Sequence, residues 1–388
     1  MTEVFDLYST EIDADPFPHY ARLRDQCPCY WSEDARCWIL SRYEDVFNAA
    51  QQWEIFSSAQ GNLVDEIAGR PGATLGSTDP PRHDRLRGLS QAAFARRNLE
   101  WLVAPTRELA AALLDRIAQR RRFDFIADYS TQVTVGVLFR MLGLPQPDHA
   151  EIRRKVILSV STDKAGKGRA AEHDRAFKDI GDFIAGQVEA RRRNPQEDLI
   201  THLAEAEIDG DRLTDREVVL TTTMFVIAGV ESLSSFINVF ALNLHDFPDG
   251  RRRLVRDPGL IPQAIEESLR FNTSAQRFKR VLTRDHELHG QRMRAGDKVV
   301  LAYGSANRDG RKFPEPDVYD IDRRPQGHLG FGVGKHFCIG STMARLVAQE
   351  AMRCFLERVP DYRLTTPRVE WLPSSNFRIP LALPLEAC

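Results

Sequence analysis

Apolar residues recur with the period of an α-helix along the chain from about residue 90 to residue 272. Within this region, the stretch 218–230 is apolar on nearly all sides, which predicts a helix buried through the centre of the fold. The helix should begin at a capping box formed by Thr214 and Glu217 and end before Pro248. These signals predict a central helix of roughly thirty residues, on the order of 45 Å long.

Strand-like stretches are short and scattered. They are Cys37–Ser41, Arg280–Thr283, Lys298–Ala302 and Arg378–Leu383. Turn-forming residues surround several of them, as in HGQRMRAGD at 289–297. No repeat, low-complexity tract or Gly/Ser linker divides the sequence. We therefore predict a single domain over residues 1–388 that is mainly α-helical with small β-sheets.

Charge and composition exclude several classes of protein. The 55 acidic and 53 basic residues give a formal net charge of −2, so no nucleic-acid partner is expected. The N-terminal sequence MTEVFDLYSTEIDADPF lacks the pattern of a signal peptide, and the apolar run 218–230 is too short to span a bilayer. Six cysteines in 388 residues do not indicate a disulfide framework. We expect a reduced, cytoplasmic protein without a membrane partner.

The cysteines differ in what their surroundings suggest. Cys27, Cys29 and Cys37 lie close together, but no fourth ligand stands at zinc-site spacing, so free thiols are the better interpretation. Cys354 falls on the apolar face of a predicted helix and is expected in the core. Cys338 is different, because four glycines surround it in GFGVGKHFCIG, residues 330–340.

The loop around Cys338 has features of a metal-binding thiolate. Its glycines permit positive φ and close approach to a flat object. The residues that follow, Ser341–Arg358, read as an amphipathic helix, so Cys338 lies at a helix N-terminus, where a thiolate is favoured. A single thiolate in such a loop suits one axial metal bond, as a haem iron requires. An ordinary loop with a buried cysteine is the alternative.

The full spacing F-G-x-G-x-H-x-C-x-G at 331–340, followed by Ala344 and Arg345, resembles the cysteine-ligand signature of the cytochrome P450 haem-thiolate monooxygenases in their soluble bacterial form. Four further segments resemble motifs of that family in the expected order: DPPRHDRLRGLSQAAF (79–94), AGVES (228–232), EESLR (266–270) and SANRD (305–309). The resemblance covers nearly the whole chain. It implies the cytochrome P450 fold, with a long central distal helix and a Cys-ligand loop, and haem b with Cys338 as its proximal iron ligand.

The same resemblance assigns the two haem propionates to four basic side chains. They are His83, Arg87, Arg280 and His336. His83 and Arg87 are four residues apart on a predicted helix and can face one ligand, and the planar guanidinium of arginine suits a carboxylate. Taken alone, each of these residues is more simply read as a surface charge.

The segment AGVES implies the distal oxygen-binding site, with Glu231 and Ser232 as catalytic residues that deliver protons. The family usually has threonine where this chain has Ser232, a change that keeps the hydroxyl and removes the methyl group. Ala228 and Gly229 have little side chain, which is expected to leave room for dioxygen against the helix. A satisfied core acid is the alternative interpretation of Glu231.

Glu267 and Arg270 match the E-x-x-R pair of the family, which implies a buried brace for the ligand loop rather than a catalytic role. The family often adds a third basic residue at the position of Val318. The brace is therefore either incomplete in this chain or completed by Arg323 or Arg324.

The resemblance implies a monooxygenase that inserts one oxygen atom from dioxygen into a small organic substrate, by hydroxylation or O-dealkylation. We expect no flavin domain in this length, so electrons should come from a separate ferredoxin or flavodoxin with its NAD(P)H reductase. A monomer is expected. A hydrogen-peroxide-driven peroxygenase and a non-catalytic haem-based ligand sensor are the alternatives, and the retention of both Glu231 and Ser232 speaks against the peroxygenase.

Two surfaces are less well defined by the sequence. The candidate substrate-lining segments are Ser57–Leu75, Phe225–Ala228, Asn272–Gln276 and Ser374–Phe377. They mix apolar and small polar residues, which fits a small aromatic compound, a terpenoid or a tailoring intermediate. The candidate basic face for a redox partner consists of Lys335, Arg345, Arg96 and Arg97, although a solvated face is equally consistent with these residues.

Overall fold

The central helix runs from Asp215 to Asp246 in the structure, a computed structural model that describes residues 5–388. The predicted capping box is present: the Glu217 N–H donates to the Thr214 hydroxyl, and the Thr214 N–H donates to the Glu217 carboxylate. In the described part of the chain this is the one helix long and apolar enough to cross a membrane, and 78% of its most apolar window is buried inside the protein. It is the core helix that the hydrophobic pattern predicts.

Fourteen α-helices occur among residues 5–388. They are α1 (Thr10–Ala14), α2 (Phe17–Gln26), α3 (Tyr43–Gln51), α4 (Arg82–Gln91), α5 (Val103–Ile117), α6 (Thr131–Leu142), α7 (His149–Val160), α8 (Ala171–Arg193), α9 (Leu199–Glu205), α10 (Asp215–Asp246), α11 (Pro248–Arg256), α12 (Ile261–Phe271), α13 (Tyr303–Ala306) and α14 (Ser341–Arg358). Short 3₁₀ turns and one π-helical turn, Ile126–Ser130, connect several of them. The predicted helix Ser341–Arg358 is confirmed with its bounds unchanged.

Twelve short strands are present in the same part of the chain. They are β1 (Cys29–Ser32), β2 (Cys37–Leu40), β3 (Phe56–Ser57), β4 (Arg122–Asp124), β5 (Glu207–Ile208), β6 (Asp211–Arg212), β7 (Phe278–Leu282), β8 (His286–Leu288), β9 (Gln291–Met293), β10 (Lys298–Leu301), β11 (Tyr362–Leu364) and β12 (Pro384–Ala387). Three of the predicted strands meet in one five-stranded sheet, ordered β1-β2-β10-β7-β3. A second sheet, ordered β11-β12-β4, joins the C-terminus to the segment between α5 and α6.

The prediction of a fourth strand at Arg378–Leu383 is wrong. This stretch forms one isolated bridge, between Trp371 and Pro380, and the regular strand begins only at Pro384. Proline has no N–H group to donate to a ladder, so Pro380 limits this stretch to the single bridge in which it lies. Its alternating apolar residues therefore pack as an extended loop rather than as a strand.

Two of the three clustered N-terminal cysteines, Cys29 and Cys37, are core thiols, and Cys27 is half-buried. Cys29 pairs with Leu40 at one end of the β1–β2 ladder, and Cys37 pairs with Ser32 at the other end. Burial raises the pKa of both thiols to about 12. Cys29 and Cys37 belong to separate hydrophobic clusters, which agrees with the interpretation as free thiols.

Helix packing places the cysteine loop against the fold's centre. Helix α10 packs against α6, α7 and α8 on one side and against α12 and α14 on the other. The loop at 330–340 leads directly into α14, which also packs along α5 and α12. One continuous hydrophobic cluster contains buried residues of α5, α6, α10, α12 and α14. The long helix and the cysteine-bearing helix are thereby fixed within one rigid core.

Candidate active site

Glycines shape the loop that carries Cys338. Gly332 and Gly334 have φ of +69° and +73°, values that favour glycine. A Cβ on Gly334 would lie 3.1 Å from the Ala50 carbonyl oxygen, so the loop packs closely on α3. The Cys338 N–H donates to the Phe331 carbonyl at 2.9 Å, which closes the loop onto itself. The backbone therefore holds the cysteine in a fixed orientation just before α14.

The sulfur of Cys338 lies at the N-terminus of α14, as predicted. Burial raises the pKa of its thiol, while hydrogen bonds from the backbone N–H groups of Gly340 and Ser341 and the charges of Arg87 and Arg345 oppose that shift. Backbone N–H groups at a helix N-terminus stabilise a thiolate. These donors would stabilise a thiolate bound to a metal at this position.

The four predicted propionate partners lie together beside this loop. The rings of His83 and His336 meet edge to face with centroids 4.7 Å apart. Burial, followed by the charges of Arg280 and His83, lowers the pKa of His336 to about 2. The Arg87 guanidinium donates to the carbonyl of Phe337, at 2.8 Å. The structure therefore brings together residues that are distant in sequence.

Several donor groups in this cluster lack partners. The Nε2 atoms of both His83 and His336 are buried without a hydrogen-bond partner. Arg280 is 3% exposed and donates only to the Lys279 carbonyl. Among residues 5–388, no carboxylate lies within ion-pair distance of Arg87 or Arg280. Buried cations need anionic partners, so this set of donors fits the two propionates of a haem.

Arg87 and Arg280 provide a direct test of that fit. Arg87→Ala and Arg280→Ala should each weaken haem retention, because each leaves a propionate without its cationic partner, a loss on the order of 1–3 kcal/mol. The measurement is haem content after gel filtration, together with thermal unfolding. Arg97→Ala is the matched control, since Arg97 is exposed on a neighbouring turn. If both variants retain haem and melt like Arg97→Ala, the assignment to the propionates is wrong.

Glu231 and Ser232 are adjacent in α10 but have different partners. The Glu231 carboxylate is 2% exposed and pairs with Arg153 of α7, with Nε 3.2 Å from Oε2. Ser235 donates to the same carboxylate at 3.1 Å. Burial raises the pKa of Glu231, and Arg153 partly offsets this effect. The Ser232 hydroxyl instead donates to the Ala228 carbonyl one turn back.

Gly229 has a different role from the one expected. A Cβ at this position would lie 2.8 Å from Cδ2 of Leu138, so Gly229 permits close packing of α10 on α6. It does not leave space for dioxygen, as the sequence interpretation held. Ala228 is exposed in the middle of an otherwise buried stretch of α10. The open face of the helix is therefore at Ala228 and the neighbouring Ser232.

The E-x-x-R brace is complete. Arg270 binds Glu267 through two hydrogen bonds of 2.7 and 2.8 Å, and neither side chain is exposed. Arg323 supplies the third basic group, with its Nε 3.2 Å from the Glu267 carboxylate. Val318 still contributes through its carbonyl, which accepts a hydrogen bond from Arg270 at 3.2 Å. Arg323, and not Arg324, thus takes the place left by Val318.

Three of the four predicted substrate-lining segments adjoin one another. The Val64 N–H donates to the Asn376 side chain at 3.1 Å, and the Gln276 N–H donates to the Asn376 carbonyl at 3.0 Å. Ser375 donates to Asp65 at 2.6 Å. The fourth segment contributes Phe225 from α10, which packs edge to face on Phe94.

The predicted basic face carries little excess charge. Lys335 pairs with Asp84 at 2.7 Å, Arg345 with Glu266 at 2.6 Å, and Arg96 with Glu100 at 3.4 Å. Positive charge on this face is therefore matched by carboxylates at three of the four predicted positions.

Sequence reasoning missed Arg153 and Asn307. Arg153 meets Glu231 across 78 residues of sequence, and nothing in the local pattern of α7 marks it. Asn307 accepts a hydrogen bond from the Leu329 N–H at 2.6 Å and so fixes the approach to the cysteine loop. Asn307 belongs to the segment SANRD, so its position within a motif was the one available signal.

A cysteine loop at a helix N-terminus, flanked by two arginines without carboxylate partners and leading into a helix that shares one core with the long helix α10, defines a protein suited to haem-thiolate chemistry. Residues 259–377 match the family model "Cytochrome P450". The chain is 35% identical over 394 residues to nocardicin C N-oxygenase from Nocardia uniformis subsp. tsuyamanensis, covering 97% of each chain. It is 35% identical over 356 residues to mycinamicin IV hydroxylase/epoxidase from Micromonospora griseorubida, covering 90% of this chain and 89% of that one.

Solved structures agree with this match. The structure of cytochrome P450 CYP109Q5 from Chondromyces apiculatus superposes with a TM-score of 0.89 at 30% sequence identity, covering 99% of this chain and 98% of that chain. The chain belongs to the cytochrome P450 family and has its fold. It is an oxidoreductase of the monooxygenase type, and the family implies a haem cofactor.

Proposed function

We propose that this enzyme inserts one oxygen atom from dioxygen into a small organic substrate, by hydroxylation or O-dealkylation, with haem b as cofactor. The loop of Cys338 is the observation that carries the proposal, because its geometry and its donors suit an axial thiolate. Residues 1–388 act as a single catalytic domain in this proposal, in a monomeric, cytoplasmic protein. Electrons come from a ferredoxin or flavodoxin with its NAD(P)H reductase.

Five residues would hold the haem. Cys338 would bind the iron, and His83, Arg87, Arg280 and His336 would bind the propionates. The Nε2 atoms of the two histidines are buried without a hydrogen-bond partner, and among residues 5–388 the two arginines donate only to backbone carbonyls. When bound, haem supplies the dioxygen activation that no amino-acid side chain provides. The protein supplies the thiolate, the orientation of the cofactor and the exclusion of water.

Glu231 and Ser232 have complementary roles in proton delivery. Glu231 is buried on the side of α10 that faces α7, and its raised pKa allows it to carry a proton as well as to pair with Arg153. Ser232 lies on the more open side, where its hydroxyl can rotate away from the Ala228 carbonyl. Serine lacks the β-branch that restricts χ1 in threonine, so both orientations are accessible to it.

Glu231→Gln should slow turnover by about 10²- to 10⁴-fold, the usual contribution of a positioned proton donor, while substrate binding stays nearly unchanged. Ser235→Ala is the matched control, because it removes a hydrogen bond to the same carboxylate without removing the acid. The measurement is single-turnover rate beside the substrate-induced change in the haem spectrum. Equal rates for Glu231→Gln and Ser235→Ala would exclude Glu231 from proton delivery.

Ser232 should control how efficiently electrons are used. Ser232→Ala should divert reducing equivalents into hydrogen peroxide, whereas Ser232→Thr should hold or improve coupling, since the β-branch limits rotation of the hydroxyl. The measurement is product formed per NAD(P)H consumed, with peroxide quantified in parallel. Unchanged coupling in Ser232→Ala would show that this hydroxyl does not relay protons.

The mode of electron supply separates the proposal from its alternatives. Product formed with NAD(P)H and a ferredoxin system, but not with hydrogen peroxide, supports the monooxygenase. Product formed with peroxide alone would indicate a peroxygenase. Ligand binding without turnover in either system would indicate a haem-based sensor.

For the substrate, we propose a tailoring intermediate, because the relatives act on nocardicin C and mycinamicin IV, as their names state. The candidate lining segments supply aromatic rings from Phe225 and Phe377 and polar groups from Asp65 and Ser375. A spectral binding screen across apolar compounds that carry a few hydroxyl or amide groups tests this proposal. Binding confined to small unsubstituted aromatics would contradict it.

A further inference from the structure

One carboxylate, Glu266 of α12, joins the two ends of the cysteine loop. Arg345 of α14 binds it through two hydrogen bonds, with its Nε 2.6 Å and its second terminal nitrogen 2.8 Å from the carboxylate oxygens. His328, two residues before the loop, binds it through Nε2 at 2.9 Å. Three separate segments of the chain therefore meet at Glu266, beside a surface groove of about 590 Å³.

The hydrogen bonds of His328 fix the orientation of its ring and its tautomer. The Gly330 N–H donates to Nδ1 of His328 at 3.2 Å, so Nδ1 is the acceptor and Nε2 carries the hydrogen that is donated to Glu266. Gly330 itself packs on the end of α12, where a Cβ would lie 2.8 Å from the Leu269 carbonyl oxygen. Through His328, Glu266 thus holds the start of the cysteine loop against α12.

Arg345 links the same carboxylate to the surroundings of the sulfur. Its guanidinium lies 4.5 Å from the centre of the Phe331 ring, and the Phe331 carbonyl accepts the hydrogen bond from the Cys338 N–H. Arg345 thus packs on the residue whose carbonyl anchors Cys338, which places its positive charge beside the part of the loop that carries the sulfur. Burial alone would raise the pKa of Glu266, but its bonds to Arg345 and His328 lower it to about 2, so the carboxylate is ionised.

We propose that Glu266 is a positioning residue for the Cys338 thiolate, which it serves by fixing His328 and Arg345 and by balancing the positive charge of Arg345 beside the sulfur. This inference rests on the proposed haem-thiolate function. Positive charge near the thiolate favours the reduced cofactor, because reduction adds negative charge at that site. Glu266 limits this effect of Arg345, so the pair sets the reduction potential as well as the shape of the loop.

The test is a double-mutant cycle read out by reduction potential. Glu266→Gln should move the potential to more positive values, because it leaves the charge of Arg345 unbalanced. Arg345→Gln should move it to more negative values, and the double variant should return it toward that of the parent. If Glu266 only stabilised the loop, the two single variants would not shift the reduction potential in opposite directions. The pair formed by Arg107 of α5 and Glu350 of α14 provides the control, since Glu350→Gln and Arg107→Gln should leave the potential unchanged.

Shifts of the same sign in both single variants, or no shift in either, would overturn the proposal. If Glu266→Gln does not retain haem, Arg345→Gln decides alone: a fall in potential supports the proposal and any other result overturns it. The carbon monoxide spectrum of the reduced parent separates this test from the proposed function. A parent without the haem-thiolate spectrum refutes the function, whereas a parent with that spectrum and without opposite shifts refutes only the role of Glu266.

Discussion

Cys338→His should abolish monooxygenase turnover completely, the largest effect expected from any single substitution in this protein. Cys338 would hold the haem iron as a thiolate, and the haem would then supply dioxygen activation that depends on the electron density of this ligand, which a neutral imidazole cannot replace. The backbone donors from Gly340 and Ser341 and the charges of Arg87 and Arg345 are arranged around the sulfur. The variant should still fold, since the loop geometry is set mainly by its glycines and by the Phe331 carbonyl.

Cys354→Ser is the matched control for that substitution. Cys354 is buried in α14, three to four turns beyond the loop, and its side chain packs in the hydrophobic core. The control should lose some stability and keep full turnover per bound haem. The measurement is product formation per haem in both variants. Turnover by Cys338→His at the rate of Cys354→Ser would exclude Cys338 as the ligand.

Glu267→Gln should prevent the protein from holding its haem at ordinary temperature. The variant leaves the fully buried Arg270 without a charged partner, and breaking a buried ion pair in this way costs about 3–5 kcal/mol. Arg270 also donates to the carbonyls of Asn307, Pro316 and Val318, so its displacement would loosen the segment that leads to the cysteine loop. The measurements are thermal unfolding and haem content.

An ion pair on the protein surface provides a comparison for the stability lost in Glu267→Gln. Arg253 and Asp322 form an exposed pair at 2.8 Å, and its loss should cost only about 0.2–1 kcal/mol. Asp322→Asn is therefore the control for Glu267→Gln. Equal unfolding temperatures for the two variants would show that the buried pair does not brace the loop.

The parts of the fold that the sequence predicts correctly depend on local signals. The capping box of Thr214 and Glu217 and the apolar run after it define α10, and the amphipathic pattern defines α14 with its bounds unchanged. Three short strands were predicted correctly because turn-forming residues flank them. The motif around Cys338 predicts the loop because its glycines and cysteine are close in sequence.

The features that the sequence missed depend on contacts between distant segments. The partner of Glu231 is Arg153, which lies in another helix and has an ordinary helical context. The need for glycine at Gly229 arises from Leu138 on α6, which no local pattern reveals. Arg378–Leu383 alternates like a strand, but Pro380 interrupts its pairing. In each case the feature depends on tertiary structure that the local sequence pattern does not show.

The carbon monoxide spectrum of the reduced, haem-loaded protein tests the central claim most directly. Thiolate ligation by Cys338 predicts a strongly red-shifted Soret band in the parent and in Cys354→Ser, and its loss in Cys338→His. A parent protein that binds haem and carbon monoxide without that red-shifted band, or a Cys338→His variant that keeps it, would contradict the account.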